Sequence, residues 1–136
     1  MKLLIKQTDY AVRALLLLAQ HQGGFMSSSV MAKRNKMPLH FLRRVLQTLI
    51  KNGLIVSQEG IDGGVKLCVK PRSIYLNDLI MMFQGKIQLS ECMFRNKICP
   101  NRDSCVLRKR MKTVEKKVVD EFKGISIQTL LNDLTY

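Results

Sequence analysis

Three cysteines in the second half of the chain are spaced Cys92-x6-Cys99-x5-Cys105, and a fourth, Cys68, stands well upstream. Thiolates ligate soft metals, and their spacing selects among the centres they can hold. There is no tight C-x-x-C pair, which weakens zinc-ribbon and thioredoxin-type readings. Well-separated thiolates on one loop can instead wrap a bulkier object such as an iron–sulfur cluster, and three of them leave one iron a ligand short. Arg95, Lys97 and Arg102 fall in the same stretch and would offset the negative charge of such a centre. Spacing alone also admits three unrelated free thiols. Cys68 alternates with Leu67 and Val69, so it is expected as a buried structural thiol on a strand.

A second chemistry is carried by cations. Between Asp9 and Glu59 there is no acidic residue, while Arg13, Lys33, Arg34, Lys36, Arg43, Arg44 and Lys51 all fall there. The whole chain has 23 Lys and Arg against 10 Asp and Glu, a net charge of +13. A field of that sign attracts polyanions, nucleic acid ahead of an anionic membrane surface. Non-sequence-specific RNA binding is a further alternative, which would lead one to expect exposed aromatic rings for stacking, and the chain has only 5 Phe, 3 Tyr and no Trp. No Ser/His/Asp arrangement, nucleotide loop or paired-carboxylate site stands out, so an enzyme is not expected; a small thiol or iron–sulfur oxidoreductase is the remote alternative. The longest apolar run, 14–19, is six residues, where a membrane span needs roughly 18. Thr8, Asp9 and Arg13 interrupt any secretory core, so the protein is expected in the cytoplasm, with its cysteines as thiols or metal ligands rather than disulfides.

These groups must be positioned by local elements. A first helix opens at Thr8-Asp9, with Thr8 as cap and Asp9 set against the helix dipole, and stops near Gln22 before Gly23-Gly24. Ser27, Ser28 and Ser29 offer caps for a short second helix ending near Asn35. Lys36-Met37-Pro38 is a tight break, with Pro38 suited to the first turn of a third helix. There Leu39, Leu42, Val45, Leu46, Leu49 and Ile50 form the buried stripe. His40, Arg43, Arg44, Gln47, Thr48 and Lys51 fall on the other faces, and Asn52-Gly53 ends the helix. Residues 54–57 and 65–69 read as strands joined by a glycine-rich tip, 60–64.

That order is a winged helix-turn-helix, whose second motif helix enters the major groove. Pro38, His40, Phe41, Arg43, Arg44 and Gln47 are then nearest the bases. Arginine suits guanine O6 and N7, and Gln47 suits adenine, although each arginine can equally contact phosphate. Backbone amides near Ser28 and Ser29 suit a phosphate. Lys36 and the wing glycines Gly63 and Gly64 complete the candidate DNA contacts, the wing approaching the minor groove.

Pro71 marks a joint, giving a DNA-binding domain over 1–72 and a cysteine-loop and dimerisation region over 73–136. Residues 76–83 read as a helix and 85–103 as a loop. A long helix follows, with Leu107, Met111, Val114, Val118 and Phe122 in one stripe, which either pairs with its twin in a homodimer or packs back on its own domain. Ser126 caps a final short helix. The fold class expected is mainly α: a winged helix-turn-helix with a two-stranded β-hairpin wing plus a long C-terminal dimerisation helix.

The opening Leu3-Leu4-Ile5-Lys6-Gln7-Thr8-Asp9-Tyr10-Ala11-Val12-Arg13, Leu39-x-x-Leu42, Asn52-Gly53-Leu54, the Gly63-Gly64 wing and the three-cysteine loop together resemble the IscR/NsrR/RirA-type (Rrf2) family of bacterial winged-helix iron–sulfur transcriptional regulators. The resemblance covers almost the whole chain. It implies a homodimer on a pseudo-palindromic operator, and a [4Fe-4S] or [2Fe-2S] cluster held by Cys92, Cys99 and Cys105. In the nitric-oxide-sensing branch an acidic residue early in the first helix, contributed by the other subunit, supplies the fourth ligand. Asp9 matches that position, which the helix dipole alone would also suit. The chain departs from the family in places. Arg108 stands where the IscR branch has a histidine ligand, and the only histidines are His21 and His40. Glu59 stands where an arginine often reaches DNA, Val65 replaces an aromatic, and Arg43 replaces an acidic residue of the recognition helix, so a different operator is expected. Sensing through thiol oxidation or zinc is the alternative within the same class.

Overall fold

The computed structural model describes residues 3–21, 23–89, 93–94, 97–98, 100 and 103–134. Helix α1, Lys6–Gln20, starts two residues before Thr8 and has Ile5 as its cap, with no capping side chain of its own. Thr8 therefore does not cap. It lies within the first turn, fully buried, and its hydroxyl donates to Gln84 Oε1 at 2.9 Å. The helix can begin early because the Ile5 amide, which would otherwise lack a partner, donates to the same oxygen at 3.0 Å. Ala11, Ala14, Leu15 and Leu18 form its buried face.

Helix α2, Ser28–Asn35, is capped by Ser27, whose Oγ accepts from the Val30 amide at 3.1 Å. Lys36 then turns left-handed, φ 53°, and buried Met37 drops into the core. Pro38 sits at the cap of α3, Leu39–Lys51, just ahead of its first turn. Leu42, Val45, Leu46 and Leu49 of α3 are buried in one core with the apolar faces of α1 and α2. Gly53, at φ 77°, takes the positive-φ position that ends the helix.

The wing pairs β1, Ile55–Gln58, with β2, Gly64–Leu67, antiparallel, placing Ile55 opposite Leu67 and Gln58 opposite Gly64. A third, single-residue partner was not visible in the sequence: Met26 donates to the Val65 carbonyl at 2.9 Å and accepts from the Val65 amide at 2.8 Å. This explains Gly64, whose φ is 141° and where a Cβ would lie 2.1 Å from the Met26 carbonyl oxygen. Cys68 departs from expectation. The strand ends at Leu67, so in–out alternation no longer governs the next residue. Cys68 is exposed, and its Sγ donates to the Gly53 carbonyl at 3.1 Å.

A 3₁₀ turn, Pro71–Ser73, leads into α4, Leu76–Phe83, as the periodicity predicts. The stretch read as open loop contains a small hairpin, β3 Met93–Phe94 with β4 Lys97–Ile98, Met93 opposite Ile98. Helices α5, Val106–Lys123, and α6, Ile127–Leu134, follow. Ser126 caps α6, its Oγ accepting from the Thr129 amide at 3.1 Å. Ile74, Leu79 and Ile127 join the core of α1–α3. A smaller core is built from Leu76, Ile80 and Ile87, with Val118, Val119 and Phe122 of α5 packed on it.

The long helix thus corrects its single-stripe reading. Val118 and Phe122 are engaged within the chain, while Leu107 and Val114 stay exposed. The fold class itself is as expected: mainly α, a winged helix-turn-helix with a β-hairpin wing and a long helix towards the C-terminus. Among the described residues, no helix is long and apolar enough to cross a membrane.

Candidate DNA interface and cysteine loop

Because the opposite face of α3 is committed to the core, His40, Arg43, Gln47 and Lys51 are left exposed along one line, at steps of 3, 4 and 4. Arg43 Nε lies 3.4 Å from Ser28 Oγ, joining the outward face of α3 to the start of α2. The first-turn amides there, Ser28 and Ser29 among them, are a natural seat for a phosphate. One residue on, Arg44 has turned by about 100°. It lines a shallow groove of roughly 270 Å³ with Gln7 of α1, Phe41 and Thr48 of α3, and Met82 and Phe83 of α4. The two arginines, equivalent in the sequence reading, have different surroundings. Lys36 and Pro38 are exposed at the turn between the helices.

The ion pairs among the described residues are Arg13–Asp9 at 3.2 Å and Lys112–Glu115 at 3.8 Å. Lys33, Arg34, Lys36, Arg43, Arg44 and Lys51 therefore have no carboxylate partner among those residues, and an approaching polyanion meets no local competitor. The wing tip is different. Ile61 is fully exposed between the exposed acids Glu59 and Asp62. Gly63 and Gly64 each have a packing reason to be glycine, since a Cβ on Gly63 would lie 2.1 Å from the Gln58 carbonyl oxygen. Lys66 Nζ sits 5.8 Å from the centroid of Phe25 and braces the base of the wing.

Of the three loop cysteines, Cys92 and Cys99 lie outside the described residues. In the chain they are the immediate neighbours of Met93 and Ile98, which pair across the β3–β4 hairpin. Cys105 caps α5, its Sγ accepting from the Arg108 amide at 3.4 Å. The Arg108 Nε is buried, with no hydrogen-bond partner among the described residues. A buried guanidinium N–H left unpaired is costly, and a nearby negative charge would satisfy it. The donor type and the local charge thus fit an anionic centre held by thiolates. Among the described residues no three His, Cys, Asp or Glu side chains converge on a metal position. Asp9 is about half-exposed and accepts from Arg13 Nε at 3.2 Å through each oxygen. A neighbouring molecule can reach it.

Sequence reasoning missed two positioning features. Met26 had no strand signal, being a single paired residue. Gln84 hydrogen-bonds to residues about eighty positions away, and no local pattern marks such a contact.

Comparison with known proteins places these features in context. Residues 4–133 match the model of a family described as "Rrf2: Iron-dependent Transcriptional regulator". The chain is 30% identical over 129 residues to the protein aau3 of Rhizobium meliloti (strain 1021), spanning 94% of this chain and 84% of that one. It is 28% identical over 134 residues to the HTH-type transcriptional regulator NsrR of Shouchella clausii (strain KSM-K16), spanning 96% and 87%. The solved structure of T. potens IscR matches with a TM-score of 0.76 at 26% identity, covering 98% of this chain and 88% of that one.

Proposed function

Since this chain belongs to the Rrf2 family and is a DNA-binding transcriptional regulator, not an enzyme, we propose that its operator binding is governed by an iron–sulfur cluster. Cys92, Cys99 and Cys105 would hold the cluster, and Asp9 of a second subunit would complete the ligand set. Bound there, the group supplies redox- and ligand-sensitive iron. The protein's own part is to hold it and to relay its presence. A carboxylate is a harder, weaker ligand for such iron than a thiolate, so it suits a position that exchanges with a small incoming molecule. The observation that carries the reading is on Arg108: its amide donates to the Cys105 Sγ that caps α5, and its buried Nε has no hydrogen-bond partner among the described residues.

On DNA, a homodimer places two copies of α3 in successive major grooves. His40, Arg43, Gln47 and Lys36 face the duplex, and the α2 start, Ser28 and Ser29, takes a phosphate. Pro38, Arg44, Gly63 and Gly64 belong to the same surface but frame it rather than read it. Anaerobic purification with iron and sulfide analysis tests the proposal, followed by DNA titration with and without the cluster. Iron and sulfide in the fresh protein, lost in Cys92→Ala, Cys99→Ala or Cys105→Ala, are the expected result. If each subunit contacts about four phosphates, log K against log salt slopes about −6 to −8. A colourless protein whose DNA affinity follows thiol oxidant instead would replace the cluster with a thiol sensor.

A further inference from the structure

Gln84 follows α4 and reaches the start of α1, about eighty positions away in the chain. Its Oε1 accepts from the Ile5 amide at 3.0 Å and from the Thr8 hydroxyl at 2.9 Å, while its Nε2 donates to the Leu3 carbonyl at 3.1 Å. One side chain thus supplies the cap that α1 lacks and satisfies a hydroxyl with no solvent access. The segment leaving Gln84 is the root of the cysteine loop. Gly85 turns at φ 80°, Ile87 is buried in the smaller core, and the Leu89 amide donates to the buried Glu115 of α5 at 3.5 Å. The root is therefore held on both sides, by α1 through Gln84 and by α5 through Glu115.

The turn that Gln84 clasps carries chemistry of its own. Asp9 follows Thr8 directly, and Tyr10 meets Phe41 of α3 edge-to-face, with ring centroids 5.1 Å apart. Phe41 lies between His40 and the Arg43–Arg44 pair on the recognition helix. Displacing the first turn of α1 relative to α4 must shift Asp9 and press on α3 together, because close-packed side chains transmit rather than absorb such shifts.

We propose that Gln84 is the positioning residue that joins the root of the cysteine loop to the first turn of α1, so that occupancy of the loop is felt at Asp9 and at the recognition helix. This inference rests on the cluster reading above. The two ends are coupled by named hydrogen bonds and one ring contact, with no new ligand required.

The test compares wild type, Gln84→Leu and Gln84→Glu as anaerobically loaded and metal-free protein, titrated with a duplex selected by the wild-type protein from a random library. The readout is the ratio of loaded to metal-free DNA affinity. Gln84→Leu removes all three bonds and is expected to shrink the ratio by about fivefold or more. Gln84→Glu keeps both acceptor contacts and is expected to retain most of it, a rescue that a general packing defect would not show. In the metal-free chain, amide hydrogen exchange over residues 5–9 is expected to quicken in Gln84→Leu while the protein still unfolds in one cooperative transition. A wild-type ratio above one that Gln84→Leu preserves overturns this inference alone. A wild-type ratio of one overturns the cluster reading and this inference with it, although the exchange data still report whether the clasp holds α1.

Discussion

Helices α3 and α5 are both cationic and both carry an apolar stripe at helical spacing, yet the chain uses them differently. Every member of the central α3 stripe, from Leu42 to Leu49, is buried, and its cations face outward without carboxylate partners among the described residues. In α5 the only buried residue is Glu115. Val118 and Phe122, near its C-terminal end, rest on α4, while Val106 and Leu107 at its start are 75% and 65% exposed and Val114 is 45% exposed. The difference teaches that one helix is completed by its own chain and the other is only half completed. An apolar face left on a helix beside the cysteine loop is what a second copy of the chain would cover in the proposed dimer.

The largest expected effect tests the finished side of that comparison. Leu49→Ala should lower unfolding stability by about 2–5 kcal/mol, since it opens a cavity where no side chain can follow. Leu107→Ala, measured by the same denaturant titration at low protein concentration, should stay within about 0.5 kcal/mol. Comparable losses for the two would erase the contrast between the helices.

The unfinished side is tested by association. Leu107→Ser combined with Val114→Ser should weaken dimerisation by about 1.5–3 kcal/mol, read by sedimentation equilibrium, because apolar area would no longer leave water. A monomeric wild type, or a double variant with unchanged association, would assign those residues to solvent.

Within the DNA-reading half, the two arginines can be separated. Arg43→Ala should lose about 1–3 kcal/mol on the selected operator and much less on random duplex. Arg44→Ala, whose side chain lines the groove against α1 and α4, should lose less and lose it equally on both. The reverse pattern would move base reading to Arg44.

The smallest effect concerns the wing. Replacing Glu59 by Gln together with Asp62 by Asn should tighten binding to random duplex by about threefold, within 1 kcal/mol, if the tip passes near phosphates. No change would show that Ile61 and its acidic neighbours stay clear of the DNA.

Several local elements were legible residue by residue. Ser27, Gly53 and Ser126 act where capping chemistry puts them, and α4 has the bounds its periodicity predicts. These signals are local: a cap, a break and an apolar stripe each involve groups within about four positions, so the sequence alone determined the order of helices, the turn between α2 and α3, and the wing. Thr8, Cys68, Arg44 and the α5 stripe could not be read this way. Thr8 became a buried donor because Gln84 arrived from α4, and Cys68 became exposed because β2 stopped one residue short. Arg44 came to line a groove because Gln7 of α1 and Met82 and Phe83 of α4 lie across from it, and the stripe divided because α4 reaches only part of α5. Each depends on which remote surface comes to lie alongside. Tertiary packing decided that, because burial and hydrogen-bond satisfaction belong to the assembled core and not to any window of the chain.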